Sequence, residues 1–278
     1  MGNIDLEISE LSDTIRLDPN QPHAYYNRGL LWLQQGELDR AIDDFSRVIE
    51  LSPDDSEAYC NRGCAYGDQQ DWDRAIDDLS ESIRLNPNDP VAYNNRGSMY
   101  YHRRFDLVAD DRGDESAHVA EQDFERSIGD YDQAIRLDPK FAEAYFGRGC
   151  AYSRHADLHE ALDDLNRAIE LDPKLSGAYV NRGAVYRTQG DLRRARQDFD
   201  QAIRLDPDEI SAYANRGWLR SDQAEWEAAI EDYNELIRLD PLDGMAYFDR
   251  AIAYENIGDP LKSQADKEKA AQLGIGGN

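Results

Sequence analysis

The chain has 278 residues, 40% hydrophobic and 10% aromatic, which supplies enough apolar surface for a packed core and excludes a disordered chain. Its formal charge of −26, from 57 acidic against 31 basic residues, creates a field that repels phosphate backbones and anionic lipid. Nucleic acid is therefore not an expected partner, and a neutral or basic protein or peptide is.

The first ten residues, MGNIDLEISE, lack the basic and apolar regions of a secretory leader, and no apolar run reaches membrane-spanning length. Cys60, Cys64 and Cys150 follow no zinc-ligand spacing and read as reduced thiols. The expected localisation is cytoplasmic, with no membrane insertion. Residues 1–21 place Leu6, Ile8, Leu11, Ile15 and Leu17 on one helical face, predicting a single packing or capping helix that matches the second half of the units that follow.

From residue 22 the chain repeats. Pro19, Pro53, Pro87, Pro139, Pro173, Pro207 and Pro241 are 34, 34, 52, 34, 34 and 34 residues apart, and Arg-Gly pairs from Arg28-Gly29 to Arg216-Gly217 keep the same intervals. The units span 22–55, 56–89, 90–141, 142–175, 176–209, 210–243 and 244–277. In each, the third residue is Ala, the fourth is Tyr and the twentieth is Ala or Ser, while the eighth is Gly in six of seven. Position 24 is bulky (Phe45, Leu79, Tyr131, Leu165, Phe199, Tyr233) until Lys267 in the last unit. Small residues let two helices approach closely, and the proline of each IRLDP-like run ends the second helix. Each unit is thus predicted to be a helix-turn-helix that buries its apolar stripe only by stacking on a neighbour.

These positions resemble the tetratricopeptide repeat family over nearly the whole chain. The resemblance implies an all-α fold, an α-solenoid in which stacked helix-turn-helix repeats wind into a right-handed superhelix. It also implies a concave groove lined by the first helix of each unit at positions 2, 5, 6, 9, 12 and 13.

The third unit is 18 residues longer than the others, with the excess at 101–126. YHRRFDLVA can extend the first helix and AHVAEQDFER the second, with DDRGDES (110–116) as the turn; the alternative is a mobile acidic loop. The triplet Arg112-Gly113-Asp114 is read as a chance match to an integrin-binding motif.

Position 6 carries Asn27, Asn61, Asn95, Asn181 and Asn215, with Gly147 and Asp249 in the fourth and seventh units. A side-chain amide offers two donors and an acceptor, which suits the backbone of an extended peptide; the alternative is that these amides only solvate the helix. Tyr26, Phe146 and Phe248 at position 5 and Trp218 at position 9 are the expected apolar anchors, unless they pack on the adjoining repeat. Position 5 has no lysine, which argues against the carboxylate clamp of the chaperone-tail variety of the family. Position 7 is Arg and position 23 is Asp in all seven units, predicting one structural ion pair per repeat.

No nucleophile elbow, phosphate loop or metal motif is present, so neither catalysis nor a cofactor is expected. The predicted function is a protein-protein interaction scaffold binding an extended peptide or partner segment in the groove. The second reading is a non-catalytic targeting or regulatory repeat domain of a larger enzyme or assembly. Self-association through the solenoid ends or the 101–126 insertion is a further expectation.

Overall fold

The computed structural model describes residues 3–109 and 114–275, and the Arg112-Gly113-Asp114 triplet falls partly outside them. Among the described residues every regular element is an α-helix. They run α1 (Asn3–Leu17), α2 (Pro22–Gln34), α3 (Leu38–Leu51), α4 (Ser56–Asp68), α5 (Trp72–Leu85), α6 (Pro90–Ala109), α7 (Asp114–Leu137) and α8 (Ala142–His155). Then follow α9 (Leu158–Leu171), α10 (Ser176–Thr188), α11 (Leu192–Leu205), α12 (Ile210–Asp222), α13 (Trp226–Leu239), α14 (Gly244–Asn256) and α15 (Pro260–Gln272). The chain forms two compact units, Met1–Ala151 and Tyr152–Asn278.

Within each unit, even-numbered first helices pair with the second helices that follow them, as α4 with α5 and α10 with α11. Close approach depends on the small positions predicted from the sequence: Ala41, Ala58, Ala75, Ala178 and Ala195 are completely buried. Gly183 lies so near Phe199 that a Cβ there would come within 2.6 Å of the ring. The turn between the helices of a repeat uses a left-handed residue, Gly36 at φ 73°, Gly190 at 81° and Gly258 at 78°, whereas Gln70 and Ala224 hold the same conformation without glycine's freedom.

The Arg–Asp pairs form as expected and reach further than a pair. Arg62 donates through Nε and Nη2 to both carboxylate oxygens of Asp78, each at 2.7 Å, and through Nη1 to Ser46 Oγ of the preceding repeat at 2.9 Å. The same fork joins Arg28 to Asp44 and Ser12, Arg96 to Asp130 and Ser80, and Arg182 to Asp198 and Asn166. Arg216 reaches Asp232 and Asp200, and Arg250 reaches Asp266 and Asn234. Arg148 likewise donates to Asp132 of the preceding repeat. Each guanidinium also lies 5.4 to 5.9 Å from the centre of the fourth-position tyrosine ring of its own repeat, within cation–π range. The aspartates are buried, and burial pushes the carboxyls of Asp130 and Asp232 up despite the neighbouring arginines. Their charged forms therefore depend on the guanidinium.

The 18 extra residues lengthen α6 and α7 into a long helical hairpin; α7 begins inside the segment expected to be a turn. Arg103, two helical turns beyond Arg96, donates through Nε and Nη2 to Asp123, each at 2.8 Å, and through Nη1 to Asp73 at 2.6 Å. Asp123 is fully buried, and Arg103 lies 5.4 Å from the Tyr100 ring. The insertion thus copies the tyrosine, arginine and aspartate of the layer below it and fastens itself to α5. Trp72 of α5 stacks on His102 at 5.4 Å and donates its indole N–H to Asp106.

Replacing Arg182 with Ala strands Asp198 in a buried site and is expected to cost about 3 kcal/mol, the lower end for breaking a buried pair because the arginine keeps a wet edge. Arg182→Lys should recover less than half of that, since an ammonium cannot fork between Asp198 and Asn166. Urea unfolding followed by circular dichroism provides the check.

Candidate functional site

First helices of consecutive repeats lie side by side within each unit, α4 against α6 in one and α10, α12 and α14 in the other. Every residue predicted to bind sits on such a helix. What those residues do differs between the two units.

In the first unit Asn61 and Asn95 are engaged by the preceding repeat. Asn61 donates Nδ2 to Tyr26 Oη at 3.0 Å and to its own helix at Glu57 O, while Tyr26 donates its hydroxyl to Glu57 Oε2 at 3.1 Å. Burial and the Glu57 carboxylate push the Tyr26 phenol up to about 12, so it stays a donor at neutral pH. Asn95 donates Nδ2 to Cys64 Sγ at 3.2 Å and to Cys60 Sγ at 3.8 Å. Hydrogen bonding to Cys60 and burial push the Cys64 thiol up, leaving it protonated. Among the described residues no cluster of three or more His, Cys, Asp or Glu side chains is placed to hold a metal ion. Asn27 is exposed and lines a cleft shared with α1, and Phe146 is half-buried on α8.

The gap at Gly147 has a packing cause. A Cβ at Gly147 would stand 2.5 Å from Tyr131 Cε1, in the ring that fills position 24 of the preceding repeat. As that ring is placed, it leaves no space for a side chain at position 147.

In the second unit Asn181 and Asn215 donate Nδ2 to carbonyls of their own helices, Gly177 O at 2.9 Å and Ser211 O at 2.8 Å. These bonds fix the amide planes and leave each Oδ1 with no recorded partner among the described residues. The same unit holds a cleft of about 410 Å³ whose lining includes Arg187, Trp218, Ser221, Tyr233 and Asp249. Trp218 is 39% exposed, its indole N–H donates to Asp249 Oδ2, and the Arg187 guanidinium lies 5.6 Å from the ring. Burial pushes the Asp249 carboxyl up, opposed by the Trp218 hydrogen bond and assisted by Asp243. Ser221 Oγ and Tyr233 Oη lie 3.1 Å apart. Phe248, on α14, is half-buried.

Sequence reading covered Ser221 only through its groove position 12 and placed Tyr233 with the bulky residues of position 24, without joining either to Trp218. The signal available was a coincidence: Trp218 at position 9 precedes the one repeat whose position 6 is Asp rather than Asn or Gly, and the two turn out to be hydrogen-bonded.

Tetratricopeptide repeat family models match residues 22–55, 56–89, 142–175 and 176–209, a related repeat model matches 116–155, and another tetratricopeptide repeat model matches 214–272. No curated protein matches the chain significantly. Among solved structures, the chain resembles pilF of Pseudomonas aeruginosa at 16% identity, covering 80% of this chain and 93% of that one with a TM-score of 0.66. It resembles a chain of the Cut9–Hcn1 hetero-tetramer of the APC/C at 16% identity and a TM-score of 0.72, covering 97% of this chain and half of that one. YrrB, described as a tetratricopeptide repeat protein with an unusual peptide-binding site, aligns at 21% identity over 74% of this chain and 97% of its own, with a TM-score of 0.50.

Completing the asparagine row by Gly147→Asn is expected to lower stability by about 1–3 kcal/mol, the cost of overpacking against Tyr131. Thermal unfolding measures it, and Tyr131→Leu in the same chain should relieve most of the loss.

Proposed function

The chain belongs to the tetratricopeptide repeat family, whose repeats generally serve as non-catalytic protein-interaction scaffolds, and from that premise we propose that its first-helix surface binds an extended segment of a partner protein. The observation that carries the reading is the Trp218 cleft of the second unit. A large indole stands partly exposed beside a cationic and an anionic side chain, one helical turn along α12 from Asn215, whose amide is already oriented. An aromatic side chain in a concave pocket with few polar groups around it is the usual anchor of a binding site.

In this reading Trp218 takes an apolar side chain of the partner, and Asn181 and Asn215 offer Oδ1 and their remaining N–H to its backbone. Orientation is fixed before binding, which lowers the ordering cost on the receptor side. Asn61 and Asn95 of the first unit act differently, since they already bridge adjacent repeats; they shape the surface more than they contact a ligand. Tyr26, Phe146 and Phe248 add apolar contact area, and Asn27 lies at the α1 end. No described helix is long and apolar enough to cross a membrane, and the acidic chain with its free cysteines suits a reducing, cytoplasmic setting.

Unstructured peptides selected on the intact chain from a random library, then measured by fluorescence polarisation, are expected to lose at least tenfold in affinity on Trp218→Ala, about 1.4 kcal/mol. The Asn181→Ala/Asn215→Ala double variant should weaken them several-fold, and Asn61→Ala/Asn95→Ala less. Selected peptides that hold to all variants as tightly as to the parent would remove the site from this surface.

A further inference from the structure

The insertion walls a second cleft, in the first unit. The other first helices end at position 13 or 14 of their repeats, whereas α6 runs on past that point, and Asp106 stands one turn beyond His102. Between this extension and the α4–α5 turn lies a cleft of about 470 Å³ whose lining includes Asp68, Gln70, Trp72, Met99, His102 and Asp106. Gly67 opens it. A Cβ there would stand 2.5 Å from Met99 Sδ, so the thioether can lie against the cleft only because position 12 of this repeat is bare.

The cleft suits one sign of charge. Trp72 donates its indole N–H to Asp106 Oδ2 and stacks on His102 with the rings 15° apart, leaving Asp106 Oδ1 and the Asp68 carboxylate with no recorded partner among the described residues. Burial pushes the His102 imidazole down, opposed by Asp106, so the ring adds no charge at neutral pH. Among the described residues that line the cleft there is no lysine or arginine. Elsewhere the chain fills the corresponding place itself: position 12 of the fifth repeat is Arg187, whose guanidinium lies 5.6 Å from the Trp218 ring of the next repeat. In the second repeat that position is Gly67, and the guanidinium is missing from a space with aromatic rings and carboxylates around it.

We propose that this cleft takes an arginine side chain of a basic partner protein, the guanidinium set between Asp68 and Asp106 and its stem lying against the Trp72–His102 pair and Met99. Arginine suits the space better than lysine, because a planar fork can bond two carboxylates while resting on a ring. Gly67, Ser98 and His102 occupy positions 12, 9 and 13, so the segment that carries the arginine can continue along the first helices. The net charge of −26 draws such a segment in. The site belongs to the other unit from the Trp218 cleft and does not rest on the reading of that cleft.

The probe is the peptide SGARAGS, capped at both ends, with counterparts in which lysine or citrulline replaces the arginine; citrulline keeps the shape and loses the charge. Titration into the intact, isotope-labelled chain is read by NMR at the tryptophan indole N–H signals, assigned with Trp72→Phe and Trp218→Phe. The Trp72 signal should shift saturably while that of Trp218 stays in place. The lysine peptide should bind at least threefold more weakly and the citrulline peptide not at all. Asp106→Asn keeps an oxygen for the Trp72 N–H and should weaken binding at least fivefold. Asp54→Asn, an exposed site in the turn before α4, changes the net charge equally and should leave binding as in the parent. Citrulline binding equal to arginine binding, equal losses on Asp54→Asn and Asp106→Asn, or no saturable Trp72 shift at millimolar peptide overturns the proposal. Free arginine, whose carboxylate the two aspartates repel, overturns it too if it binds as tightly as the peptide, since the cleft would then serve a small molecule. So does sedimentation showing a dimer that Asp106→Asn dissociates, which would give the cleft to a second copy.

Discussion

A planar cation with five donors can bond in three directions at once, and the fold is organised around that capacity. The arginine at position 7 emerges from the first helix of a repeat, grips the buried aspartate of the second helix with two parallel hydrogen bonds, and spends its remaining nitrogen on the repeat before. Within a repeat it fixes how the two helices pack; between repeats it fixes their register. Lysine could supply the charge but not the geometry. A buried carboxylate that is hard to keep charged alone makes the arrangement specific as well as cohesive, because a mispacked repeat leaves Asp78 or Asp232 in an apolar site without its counter-ion. In a stack where each unit touches only its neighbours, such a tie acts on the interface energy directly.

The insertion follows the same logic. Extending two antiparallel helices by several turns creates a new stretch of interface, and Tyr100, Arg103 and Asp123 fill it with a second copy of the repeat's own fastening. Asp73 then takes the place that Ser80 has one layer below. An added hairpin is thereby rigidly joined to the repeat before it.

The helices, their pairing and the Arg–Asp bonds were legible in the sequence because each depends on one residue type at one position, recurring seven times. The third arm of each arginine was not, since position 25 supplies Ser, Asn or Asp and only the shared ability to accept a hydrogen bond unites them. Nor could a row of asparagines reveal that Asn61 and Asn95 reach the preceding repeat, which depends on position 5 or 9 of that repeat offering Tyr26 or Cys64, where the repeat before Asn215 has only Val180 and Ala184. The Gly147 gap was visible, but its cause lay in Tyr131, sixteen residues earlier on another helix. Periodicity reports what all repeats share, and the candidate binding surface is built from what they do not.

The central claim is that a position 7 arginine belongs to two repeats at once. Native-state hydrogen exchange on Arg62→Met, which keeps the stem's bulk and removes the fork, tests it most directly. The account predicts lost amide protection in both α5, which carries Asp78, and α3, which carries Ser46, with α14 and α15 unchanged. Loss confined to α4 and α5, with α3 protected as in the parent, would contradict it and reduce the arginine to a pairing device within one repeat.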